Sequence, residues 1–120
     1  MEQKEFSEKL YDLSMVQSVS GGDESFIKKM VALFIETVPK NVGELNEAFK
    51  QENWDQVSKL AHELKSTVDS MGIKSLKTEI REVESFAKQK ESLEKIPGLI
   101  EKINLIIDQC IHQLQTDIVN

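Results

Sequence analysis

The chain has 120 residues, 30% of them charged, and a formal net charge of −6; that length suits one domain, burying roughly 65% of its unfolded surface, and the acidic balance argues against a nucleic-acid partner. A single cysteine, Cys110, excludes a disulfide within the chain and fits a reducing compartment. Met1-Glu2-Gln3-Lys4-Glu5 lacks the apolar run of a signal peptide and no stretch reaches transmembrane length, so a cytoplasmic protein away from the membrane is expected.

From the N-terminus, Leu10, Leu13, Val16 and Val19 predict a short helix over about 10–20 that lids the rest. Gly21-Gly22 break it, and Asp23 is a good N-cap for the next. Ile27, Val31, Phe34, Val38, Val42, Leu45 and Phe49 recur at three and four, with Pro39 expected to kink the helix without ending it. Gln51-Glu52-Asn53 make a tight connection into a third helix, which Gly72 ends as a left-handed cap. Leu76, Ile80, Val83 and Ala87 form a fourth amphipathic segment. After a polar link near 88–91, the last helix shows Ile96, Leu99, Ile103, Ile106, Cys110 and Leu114, with Pro97 in its first turn. Four long helices with short links predict an all-α, up-down-up-down antiparallel bundle over about 23–117, in a single domain spanning 1–120.

The third helix carries the chemistry. Trp54, Val57, Leu60, Ala61, Leu64, Val68 and Met71 form one apolar stripe. At about 100° per residue, His62 lies roughly 150° from the centre of that stripe and points into water. Its row-mates, Ser58 and Ser66, are small and do not crowd the ring. Helical side chains lean toward the N-terminus, so Lys65 and Ser66 reach back to the imidazole while Ser58 and Lys59 lean away. A cation placed so can neutralise an oxyanion on the ring, and the serine hydroxyl can hydrogen-bond the anion or the other ring nitrogen. His112 has no comparable setting and reads as solvated surface. Trp54 and the phenylalanines, mostly at core spacing, read as packing, and Cys110 as inert core.

The run Ala61-His62-x-Leu64-Lys65-Ser66, with Gly72 ten residues after the histidine and Leu76 beyond, resembles the histidine-containing phosphotransfer (HPt) domain of bacterial and fungal phosphorelays. Ser20-Gly21-Gly22-Asp23-Glu24-Ser25-Phe26, Leu33-Phe34-Ile35, Pro39, Asp55 and Leu60 extend the likeness, which covers about residues 10–90. One departure is Ser66, where the family often has glycine.

The resemblance implies that the epsilon nitrogen of His62 takes a phosphoryl group from the aspartate of a response-regulator receiver domain and passes it to another receiver. It implies a hybrid sensor histidine kinase as a further partner, and magnesium on the receiver with no cofactor or metal on this chain. Lys65 would balance charge on the phosphoryl oxygens and Ser66 would orient ring or phosphate. Ser58, Lys59 and Asp69 would border the docking face of a monomer, and Gly72 would be structural.

Enzyme readings lack parts. His62-Glu63 begins a zinc-protease pattern, but Ser66 stands where the second ligand belongs. Two histidines and one cysteine cannot close a zinc site, and no glycine-rich nucleotide loop is present. The rival readings are a helical docking module for receivers or kinases that is never phosphorylated, and a purely structural bundle.

Overall fold

The computed structural model describes residues 9–119; the N-terminal run read above for targeting lies outside the described residues. Every regular element among them is helical: α1 (Ser14–Ser20), α2 (Glu24–Lys50), α3 (Trp54–Ser70), α4 (Lys77–Gln89) and α5 (Ile96–Leu114). Single turns of 3₁₀ helix lead into α4 and α5, and α5 ends in one wide π turn. α3 packs against α2 and α4, and α5 against α4 and α2. The core is the sum of the apolar stripes, with Leu45, Leu64, Leu76, Ile80, Ile103 and Leu114 among its fully buried side chains. No helix of the described residues is long and apolar enough to cross a membrane.

The helix ends follow local chemistry. Asp23 caps α2 by accepting the Ser25 and Phe26 amides. α2 then runs through the exposed Pro39 without a new element. At its end Glu52 takes φ 55°, and Asn53 N–H reaches back 3.0 Å to the Ala48 carbonyl. Asn53 serves twice, because its side chain also caps α3 at Gln56. At the far end of α3, Gly72 sits at φ 63°, while Ile73 N–H bonds Val68 O and Gly72 N–H bonds Asp69 O. These paired bonds form the left-handed stop that the glycine predicted.

Several expectations need correction. The first helix starts at Ser14, not near 10, because Asp12 is committed elsewhere. Its N–H donates to the Met71 carbonyl and its carboxylate accepts from the Ser14 amide and hydroxyl. Leu10 therefore belongs to an irregular strap, where its N–H bonds Gln113, and Tyr11 is buried with its hydroxyl on Asp117. Val19 is 76% exposed and lids nothing. In the last turn of α2 Ala48 is the buried residue, whereas Phe49 is half-buried and tilts against Trp54 with ring centres 6.0 Å apart. Phe26 is exposed, and α5 buries Ile100 and Ile107 beyond the predicted stripe.

α3 and α4 position the site. Their contacts run in opposite order along the two helices, from Asp69–Arg81 through His62–Glu84 to Asp55–Lys90, so the pair is antiparallel.

Candidate functional site

His62 lies mid-α3 with its side chain 64% exposed, as the wheel placed it. It is not alone. Glu84, from α4, brings Oε2 to 2.7 Å from His62 Nδ1 and Oε1 to 3.1 Å from Lys65 Nζ. One carboxylate thus spans the two motif residues. Burial pushes the Glu84 carboxyl up, but hydrogen bonds from His62 and Lys65 outweigh it and hold the group below the usual glutamate range. An ionised carboxylate only accepts. The ring nitrogen facing it therefore carries a proton, and in the neutral ring the lone pair is on Nε2.

The neighbours divide by role. Ser58 is half-buried, and its hydroxyl donates to the Glu84 backbone carbonyl at 3.2 Å, tying α4 to α3 one turn from the ring. Lys65 is only 28% exposed, so most of its side chain is covered while its ammonium meets Glu84. Ser66 is exposed and makes no side-chain hydrogen bond among the described residues. Lys59 is exposed and lines an open hollow with Asp55, Ser58, His62, Glu84 and Lys88. Asp69 does not line that hollow: Arg81 holds it by two bonds of 2.6 and 3.2 Å, and its carboxyl is lowered chiefly by that contact. Gly72 lies below the site as a structural residue. Its missing Cβ would stand 2.5 Å from Asp12 O and 2.6 Å from Asp12 Cβ, a close approach that the capping argument did not foresee.

Glu84 is the residue that sequence reasoning missed. A signal was available: His62 and Glu84 each lie eleven residues from Ile73, close to three helical turns, on either side of a tight turn. His112 is exposed at the far end of α5, flanked by Gln109, Ile111 and Gln115. Cys110 is fully buried and its thiol is pushed up to about 12 by that burial, so it is held as an unreactive thiol at neutral pH. Among the described residues no group of three or more His, Cys, Asp or Glu is placed to hold a metal ion.

A family model described as the Hpt domain matches residues 29–117. The matched span begins later than the likeness read from sequence, leaving out α1 and the first turn of α2, and it takes in the last helix. No curated protein and no solved structure matches the chain.

Proposed function

The chain belongs to the Hpt domain family, whose members carry phosphoryl groups in two-component signalling, and from that premise we propose that His62 is its phosphoryl-accepting residue. The observation that carries the reading is the Glu84 carboxylate shared between His62 Nδ1 and Lys65 Nζ. It supports a ring already in the tautomer that attack requires. The Nε2 lone pair attacks the phosphorus of a receiver's aspartyl phosphate. A P–N bond forms as the P–O bond breaks, and the electron pair returns to the receiver's carboxylate. The ring gains positive charge as it reacts, and Glu84 stands beside Nδ1 to stabilise it. Donation to a second receiver runs the same steps backwards. The receiver supplies magnesium and most of the transition-state stabilisation.

The proposed carrier is an up-down-up-down bundle that works in the cytoplasm. The ring is exposed on a helix surface, outside any deep pocket, so a protein partner has to cover it. Ser66 leaves one side of the ring open to such a partner. Lys65 acts through Glu84 as well as by charge, because its ammonium is bound to that carboxylate.

The test is a transfer assay. Receiver domains charged with acetyl phosphate are incubated with the chain, and acid-labile label on the chain is measured. Wild type and His112→Gln should take label, and His62→Gln should take none while keeping its helical content. Label persisting in His62→Gln would overturn the assignment.

A further inference from the structure

Resting on the carrier reading, we propose that Lys88 on α4 is a second phosphoryl-binding residue, whose ammonium meets the oxygens of the group carried on Nε2 of His62. Charge gives the first argument. In the free site the Glu84 carboxylate is already matched by Lys65, 3.1 Å away. The ammonium that the motif offers is therefore engaged before any phosphate arrives. A phosphoryl group brings roughly −1.5 to −2 units of charge. Lys65 and Glu84 together contribute no net charge against it and the cationic ring offsets only about one unit, so the loaded site keeps negative charge that a further cation can meet.

Geometry supplies that cation. The hollow beside the ring holds two lysines, Lys59 and Lys88. Its other acid, Asp55, is paired with Lys90 at 3.0 Å. Lys59 and Lys88 form no ion pair among the described residues.

Direction separates the two, because side chains lean toward the N-terminus of their own helix. Lys59 precedes His62 on α3 and leans away from it. Lys88 follows Glu84 by one turn on the antiparallel helix, so it leans back toward Glu84 and the level of the ring. At the helical rise its Cα lies about 6 Å along the axis from that of Glu84, a span that a lysine stem covers. Ser58 and Lys88 each lie fifteen residues from Ile73, which places Lys88 level with the turn before His62.

The experiment is the position of equilibrium between the chain and a receiver domain charged with acetyl phosphate. At concentrations well below the Kd of the encounter, the final ratio of the two phosphorylated proteins does not report docking strength. Lys88→Gln should shift that ratio against the chain by about two- to five-fold, the effect of one exposed charge contact. Lys88→Arg should restore it. The difference should shrink in about 1 M salt, where screening acts within about 3 Å. Lys59→Gln should change the ratio less. An unchanged ratio in Lys88→Gln, or a larger effect from Lys59→Gln, overturns the proposal while the carrier reading stands. If wild type takes no phosphate at all, the carrier reading fails first and Lys88 falls with it.

Discussion

Glu84 meets the Nδ1 side of His62 at 2.7 Å, from a different helix and 22 positions away in sequence. The imidazole is thus held by an α4 group that nothing in the α3 motif announces. Its orientation depends on how the hairpin of α3 and α4 packs.

Glu84→Gln should separate the orienting role of this contact from the folding one. The amide is nearly isosteric but uncharged, and it can present either oxygen or nitrogen to the ring. Nitrogen-15 chemical shifts of the imidazole should move from a predominantly Nδ1–H form toward a mixture. Phosphoryl acceptance should slow about ten-fold, equivalent to about 1.4 kcal/mol of lost transition-state stabilisation. An unchanged tautomer together with an unchanged rate would make Glu84 a bystander.

Acid should weaken the fold through the same carboxylate. Its pKa is lower in the folded chain than the ordinary value. Such a group contributes stability in full above the unfolded value, about 4.3, and loses that contribution as pH falls through the folded one. Wild type should therefore be more stable than Glu84→Gln at neutral pH, with the gap closing below about pH 4. Urea unfolding of both proteins across that range measures it; a gap that widens in acid contradicts the pairing.

Ser66 should accept glycine and alanine but not leucine. The position is exposed and its side chain leans back toward the ring. Ser66→Leu should leave stability within about 0.5 kcal/mol yet block transfer by obstructing the partner's approach. Loss of transfer in Ser66→Ala would instead show that the hydroxyl takes part. Full transfer in Ser66→Leu would mean that receivers reach Nε2 from another side.

Gly72→Ala should be the most damaging single methyl addition among the glycines. The position combines φ 63° with a Cβ site 2.5 Å from the Asp12 backbone oxygen. Left-handed strain and the clash together should cost about 2–4 kcal/mol. Gly98→Ala is the control, since no atom lies within 4 Å of its Cβ site. It should stabilise by about 0.4–1 kcal/mol. Chemical denaturation of the two variants decides whether Asp12 really rests on Gly72.

The helical fold and the position of His62 were legible because each rests on short-range periodicity. The α3 stripe alone turns His62 outward, and Asp23 and Gly72 mark helix ends by their own chemistry. Whatever depends on two helices meeting was less legible. Glu84 looks like any polar residue flanking the α4 stripe until α3 is laid beside it. Asp69, expected at the docking face, is drawn to Arg81 for the same reason. Val19 follows the stripe of α1 yet stays in water, since no other element of the fold comes to cover it. The second constraint on Gly72 required knowing that a strap sixty residues upstream crosses it.

The shared carboxylate also bears on which way phosphate flows. Glu84 sits at the Nδ1 edge of the ring, away from the reacting nitrogen, so an arriving and a departing group would meet the same Nε2. In the proposed cycle it compensates the cationic ring in acceptance and in donation alike. Microscopic reversibility then makes this chain indifferent to direction. In such a cycle the traffic would be set by which receiver is loaded and how fast it is drained, and reversing it would require altering the partners, with this protein left as it is.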